Sequence, residues 1–242
     1  MSDSTQQGGL AARMMNKLSG LAAAIVLAAT IPAQAASLLH SYSFDTNAND
    51  GTGTIHGTVY GSASVTGGVL DLPSDGAFAE LSGFAVPVSD FSVALWAKAG
   101  TQAPGTYSEM ISQNAGAGTG FYIGTTPAGE LRLGDQILST GIAQPTDGAF
   151  HHYAVVAGTT DTKLYIDGTV VGTFGVVISA TQTGTTTRFG KQFSPHNEQF
   201  IGQLDDIFIY SGSLTAGEIT ALAASRTQVV TEAPEPLSLA LL

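Results

Sequence analysis

There is no cysteine in the sequence. Disulfides, thiolate catalysis and cysteine-based metal sites are therefore excluded. Charge is scarce as well. Asp, Glu, Lys and Arg make up 11% of the chain, and only 8 Lys and Arg stand against 19 Asp and Glu. Setting aside the first 35 residues removes Asp3, Arg13 and Lys17 and leaves the balance acidic. An acidic surface disfavours nucleic acid as a partner, because a phosphate backbone selects cations. It is compatible with neutral glycans or divalent cations. There is a single Trp, and no long helical pattern alternates with strands, which excludes a parallel α/β fold.

Glycine and apolar residues are plentiful: 30 glycines, and 43% hydrophobic residues in a chain of 242. That is enough for one large or two small domains with a sizeable core. Without disulfides, such a fold is held by packing and hydrogen-bonded ladders, with or without a hard metal ion.

The two ends read as addresses. Residues 18–36 are apolar and close on small residues, with Arg13 and Lys17 ahead of them. Ala33-Gln34-Ala35 fits an A-x-A cleavage pattern, so residues 1–35 are expected to be a signal peptide, cut by signal peptidase before Ala36. Pro32 and Gln34 argue against a transmembrane anchor. Counted from Met14 or Met15 the leader has ordinary length, which makes 1–13 a candidate misassigned start. At the other end, 226–242 has no core pattern. Pro234-Glu235-Pro236 followed by Leu237 to Leu242 resembles the PEP-CTERM sorting signal of exported Gram-negative proteins, which implies processing by an exosortase. Six helical residues rise about 9 Å against a hydrocarbon core of about 30 Å, and no basic tail follows. The signal is either truncated here or the resemblance is accidental, the segment then being a Pro-rich tail.

Between the ends, 36–225 repeats one pattern. Alternating runs fall at 38–44, 54–60, 68–72, 77–81, 91–99, 107–113, 120–125, 130–135, 150–157, 163–168, 169–174, 186–191 and 199–210. Turn residues separate them, the signature of a sandwich or barrel. One helix is expected over 213–224. Thr215 and Glu218 form a capping box, and Leu214 and Ile219 a hydrophobic staple; the helix is expected to plug one end of the sandwich. Asp167-Gly168 predicts a type I′ hairpin turn.

The segments DGAFHHYAVV, KLYIDGTVVG and GQLDDIFIYSGSLTAGEI, following FSVALWAKAG in that order, resemble the laminin-G-like jelly rolls of the concanavalin A-like lectin/glucanase superfamily. The resemblance covers about 37–224. Phe150 departs from it, since relatives usually carry Trp there. It implies an all-β, antiparallel two-sheet jelly-roll sandwich with one short C-terminal helix. It implies little about function, because the superfamily holds lectins, glycosidases, adhesion modules and accessory domains.

Candidate chemistry is sparse. Glycosidases of this fold use carboxylates paired on one strand in an E-x-D-x-x-E run; no such run exists, and Glu80, Glu109, Glu130, Glu198 and Glu218 are scattered singly. Alternation sends His151 and His152 to opposite faces, so they cannot share a metal. Residues 45–51 look like the start of a calcium loop, but the glycine comes one place late and the twelfth position is His56. If the first and last strands pair antiparallel, Asp45 lies near Asp205 and Asp206, and a structural Ca²⁺ is a candidate cofactor there; the alternative is an Asx turn in a solvated loop. For sugar stacking, Trp96 shares parity with Ser92 and Ala94, opposite Phe91, Val93 and Leu95; in the family a Trp here usually belongs to the framework. Tyr107, Tyr122, Phe193 and His196, with Phe121, sit in or near loops. Residues 191–200 are the most chemically mixed loop.

These readings lead to an exported, non-enzymatic module at the cell surface or in the extracellular matrix of a Gram-negative bacterium. Its expected partner is a polysaccharide or cell-surface glycan. The alternatives are a polysaccharide-degrading glycoside hydrolase, which a carboxylate pair assembled by the fold would favour, and a purely structural or protein-binding module. Nothing in the sequence fixes the oligomeric state.

Overall fold

The computed structural model describes residues 35–103, 105–114, 120–184 and 186–225. The chain divides into a unit Met1–Pro32, outside those residues, and a unit Ala33–Leu242 that holds every element below. The expected leader, except its last residue, and the 226–242 tail likewise lie outside the described residues.

Two antiparallel sheets stack face to face. The larger has eight strands: β1 (Ser37–Tyr42), β3 (Ser64–Thr66), β4 (Val69–Leu72), β6 (Phe91–Ala99), β10 (His151–Ala157), β11 (Thr162–Ile166), β12 (Thr169–Phe174) and β14 (Gly202–Ser211). Their order is β12-β11-β10-β6-β14-β4-β3, and β1 also pairs with β14. The smaller has six: β2 (Gly57–Tyr60), β5 (Phe78–Leu81), β7 (Ser108–Gln113), β8 (Phe121–Thr125), β9 (Leu131–Leu133) and β13 (Thr187–Phe189), in the order β2-β5-β13-β7-β8-β9. This is the expected all-β jelly roll. Most expected strands are present but shorter, and β3 lies outside the expected runs.

Alternation builds the core. Val93, Leu95, Val155, Leu164, Ile207 and Ile209 point inward from the large sheet; Ile111, Phe121, Ile123, Leu131, Leu133 and Phe189 meet them from the small one. Each buried aliphatic or aromatic side chain contributes roughly 1.5–3 kcal/mol. Edge contacts such as Tyr42 on Phe189 and Phe91 on Phe121 fix the rings.

The hairpin turn is as expected: Asp167 and Gly168 have φ of 50° and 78°, and Ile166 pairs with Thr169 across it. The helix, α1 (Ala216–Ser225), is capped as expected. Thr215 Oγ1 accepts from the Glu218 N–H at 3.3 Å, and Glu218 Oε2 accepts from the Thr215 N–H at 2.7 Å. Its position differs from the expectation. Leu214, Ile219 and Leu222 pack with Ala94, Ala154, Tyr165, Phe208 and Tyr210, the opposite parity of the large sheet from the core. The helix therefore covers the outer face of that sheet rather than plugging an end, because those strands are apolar on both faces.

The first and last strands do pair, with Tyr42 opposite Ile207. A bulge between Asp205 and Phe208 breaks the alternation of β14 there, and Asp206 takes a positive φ of 43°. The Asp206 N–H donates to Asp205 Oδ1 at 2.9 Å. No helix among the described residues is long and apolar enough to cross a membrane.

Candidate functional site

The outer face of the small sheet carries the most chemistry. In β8 and β9, Phe121, Ile123, Leu131 and Leu133 are in the core, so Tyr122, Gly124 and Arg132 face the other way. A bulge between Glu109 and Ile111 brings Glu109 opposite Gly124, and Arg132 is opposite Gly124 from the other side. A Cβ on residue 124 would overlap the Ser108 carbonyl and the Glu109 carboxyl. Glycine there lets Glu109 and Arg132 meet across the strand between them.

Arg132 is the hub. Its Nη2 lies 3.2 Å from Glu109 Oε1 and 3.4 Å from Glu198 Oε2. Its guanidinium lies 4.0 Å from the Tyr122 ring centre and 4.4 Å from that of Tyr107. Glu109 is 0% exposed and Arg132 5%. Burial pushes the Glu109 carboxyl well above the usual carboxylate range; Arg132 opposes that, while the neighbouring Glu198 carboxyl adds to it. Burial works against the Arg132 cation, but Glu109, Tyr122 and Glu198 outweigh it and hold the guanidinium charged. Both Glu109 oxygens, Arg132 Nε and Glu198 Oε2 are buried without a well-formed hydrogen bond. Most buried polar atoms have a partner, so a cluster of such atoms at one place is informative.

A short hairpin, residues 191–199, lies over this face. Lys191 bridges to Gln199, the Gln192 N–H donates to the Glu198 carbonyl at 2.8 Å, and Ser194-Pro195 is cis. Gln199 clasps it to the body: its Nε2 donates to the carbonyls of Ala77, Gly190 and Phe200, and its Oε1 accepts from the Gly76 N–H. Opposite, Gln102 both donates to the Ile201 carbonyl at 2.5 Å and accepts from the Ile201 N–H at 3.0 Å, which fixes the segment leading to Tyr107.

Between them opens a cavity of about 420 Å³, within the ordinary range for small-ligand sites. Ala103, Thr106 and Tyr107 form one side, His196, Asn197, Glu198 and Gln199 the other, and Asp75 and Ile201 complete it. Tyr107 is 40% exposed, and Arg132 backs its ring.

Of the expected contact residues, Tyr107 and His196 are brought together in this cavity. Tyr122 and Phe193 are not free faces. Tyr122 is 2% exposed with Arg132 against its ring, and Phe193 is 5% exposed with the Arg188 guanidinium 4.0 Å from its centre. They are corrected from ligand contacts to supports, because both are buried, an arginine covers each ring, and neither lines the cavity. The Tyr122 hydroxyl donates to Asp135 at 2.8 Å. Phe121 belongs to the core. Trp96 lies elsewhere, on the outer face of the large sheet, in register with His152 and Asp205 and with its ring 5.4 Å from that of His152. It does not line the cavity.

Asp45, the expected Ca²⁺ ligand of the first loop, lies just past β1, and Asp205 and Asp206 lie in the β14 bulge. Among the described residues no group of three or more His, Asp or Glu side chains is arranged to hold a metal. Asp45 is exposed, and Asp205 bonds the backbone of its own neighbour. The loop is organised instead by Asp50, which accepts from the N–H groups of Ser41, Thr52 and Ile55 and from the Thr52 hydroxyl, and pairs with His40 at 2.6 Å.

Sequence reading missed Arg132, Glu109 and Glu198 as a unit, since they come from three separated segments. A signal was present. In ELRLGD the arginine alternates with leucines, so it must face away from the core, and with only 8 Lys and Arg in the chain it must find carboxylates.

The fold defines a class: two-sheet antiparallel β-sandwich domains. The profile of the concanavalin A-like lectin/glucanases superfamily, laminin-G type, matches residues 73–220, more than half of the chain. The chain belongs to this family. Domain 4 of AbnA, a GH43 extracellular arabinanase from Geobacillus stearothermophilus solved with arabinotriose, superposes with a TM-score of 0.65 at 22% identity, covering 78% of this chain and 100% of that one. A Trypanosoma rangeli sialidase mutant displaying trans-sialidase activity gives 0.62 at 14% identity, over 78% of this chain and 33% of the sialidase. The binding domain of Paraclostridial Mosquitocidal Protein 1 gives 0.60 at 16% identity, over 77% of this chain and 52% of that one. At these identities the likeness is one of fold. No curated protein matches the sequence.

Proposed function

We propose that this chain is an exported, non-enzymatic carbohydrate-binding module whose site is the cavity under the 191–199 hairpin. The observation that carries the reading is the Tyr107 ring. One face rests on the buried Arg132 guanidinium, and the ring is half-exposed in a cavity edged by Thr106, Asn197, Glu198 and Gln199. An apolar ring face edged by amide, hydroxyl and carboxylate groups suits a sugar, which offers C–H groups on its faces and hydroxyls at its rim. Glu198 is the carboxylate of the lining, and behind it Arg132 pairs with both Glu198 and the buried Glu109, which fixes the wall that the ring leans on. One relative in fold is solved in complex with arabinotriose and another with sialic acid, which supports a glycan as the ligand class. Export rests on the apolar leader pattern alone.

One observation favours the second reading, hydrolysis: the fold brings Glu109 and Glu198 together. Glu109 has no exposed surface, however, and the two carboxyls converge on Arg132 instead of flanking a space where a glycosidic bond would lie.

The test is binding to arrayed arabinan, xylan, glucan and galactan oligosaccharides, followed by titration. Tyr107→Ala is expected to weaken binding at least tenfold, about 1.4 kcal/mol, while Trp96→Phe leaves it unchanged. Release of reducing ends by the native chain would overturn the non-enzymatic reading. Absence of binding to every arrayed glycan would leave a structural or protein-binding module.

A further inference from the structure

A second aromatic feature lies on the same outer face, at the edge of the small sheet. Tyr60 in β2 and Phe78 in β5 are register partners, and their rings stack with centres 5.0 Å apart at 14°. Tyr60 is 46% exposed. Phe78 is held from its other side by Arg188, whose guanidinium lies 4.4 Å from the ring centre and pairs with Glu80 at 2.6 Å. A stacked pair on an edge strand stabilises that edge in its own right. Two facts go beyond that role. Tyr60 is a large aromatic left half-exposed on a rigid backing, with its mate immobilised by a cation. The pair is also continuous with the rim cavity: Lys191 Nζ lies 6.0 Å from the Phe78 ring centre and 3.5 Å from Asp75, and Asp75 lines the cavity.

We infer that Tyr60, stacked on Phe78, is a second sugar-binding subsite, so that the module takes an oligosaccharide chain that runs from the cavity across the Asp75–Lys191 pair onto the Tyr60 ring. This rests on the carbohydrate reading above. Tyr60 and Phe78 are not part of the cavity lining, and the link from that lining to Phe78 passes through Asp75 and Lys191. The ligand must therefore be longer than one residue, and affinity must grow with length until the chain covers the platform. Stacking on an aromatic face needs the ring and not the phenol hydroxyl, so Phe suffices at position 60.

The experiment is titration of the native chain, Tyr60→Ala, Tyr60→Phe and Tyr107→Ala with arabino-, xylo-, gluco- and galacto-oligosaccharides from monomer to hexamer. Thermal melts run in parallel establish that each variant is folded. The expected result is a length-dependent gain in the native chain that Tyr60→Ala removes, about tenfold at the longest oligomers, with the shortest binding ligand unaffected. Tyr60→Phe restores the gain. A Tyr60→Ala chain that binds every length like the native one overturns the second subsite while the cavity reading stands on Tyr107→Ala. An equal loss at all lengths also overturns it, since Tyr60 would then act only through stability. If the native chain binds none of the oligosaccharides, both readings fall together.

Discussion

His151 and His152 are adjacent, and the pleat gives them opposite fates. His151 stands between two aspartates, with Nδ1 2.7 Å from Asp167 and Nε2 3.0 Å from Asp147. Partial burial opposes its cation, but the two carboxylates outweigh burial and raise its pKa above 6.5. His152 is 1% exposed, with no hydrogen bond to either ring nitrogen; burial pushes it down to about 4, against a weaker pull from Asp167. The signs are opposite. The raised His151 contributes stability that is full below 6.5 and is lost as pH rises through its folded pKa. The depressed His152 contributes stability that is present above 6.5 and is lost as pH falls toward 4, because the unfolded chain takes up a proton that the folded chain refuses. Acid lability between those values is therefore assigned to His152. His152→Phe, which keeps a ring beside Trp96, is expected to flatten the fall in melting temperature between pH 6.5 and 4.5. Parallel slopes for the variant and native chains would refute the assignment.

The elements differ in how they are specified. The Asp167-Gly168 turn and the Thr215–Glu218 cap rest on local chemistry between near neighbours, so each is legible in a few letters. The meeting of β7, β8 and β9 is not local. It depends on one missing side chain, Gly124, whose replacement would overlap the Ser108 backbone carbonyl and the Glu109 carboxyl. Gly124→Ala is expected to cost about 1–3 kcal/mol, the usual penalty of overpacking. It should also weaken glycan binding, since Glu109 and Arg132 can no longer pair; a variant with native stability and affinity would show that the strand gives way freely. The same contrast explains what was readable in the site. Tyr107 and His196 could be picked out as polar-edged aromatics in loops. Tyr122 and Phe193 look identical by that criterion, and only the packing of Arg132 and Arg188 over their rings separates support from contact. The position of α1 was hidden for a related reason. Ala94, Ala154 and Phe208 make the large sheet apolar on both faces, and a strand pattern does not say what covers the second one.

At the scale of the whole molecule, an acidic sandwich with no disulfide raises the question of what replaces a covalent or metal staple. The first strand answers part of it: β1 pairs with the far half of β14, whose start pairs with β4, so the first and last strands of the domain lie side by side. Such pairing joins residues far apart in sequence, Tyr42 with Ile207 among them, the kind of non-local contact that slows folding. The loop that follows β1 completes the closure. Asp50 is 6% exposed and is held ionised below the usual range; burial opposes this, and the bonds from His40 and from the N–H groups of Thr52, Ser41 and Gly53 overcome it. Those donors engage both carboxylate oxygens, Ser41 and Thr52 at Oδ1 and His40 and Ile55 at Oδ2, and among the described residues no group of three or more His, Asp or Glu side chains is placed to hold a metal. The melting temperature is accordingly expected to stay the same in millimolar calcium and in excess chelator. Binding to the native state alone would raise stability by RT ln(1 + [L]/Kd), so an ion at a hundredfold excess over its Kd would add about 2.7 kcal/mol. In a domain of this size that is a rise of several degrees, easily seen, and its appearance would mean that the loop rearranges around an ion. Asp50→Asn separates the cases: it is expected to lower the midpoint equally with and without calcium, because what it removes is a set of hydrogen bonds to the chain itself.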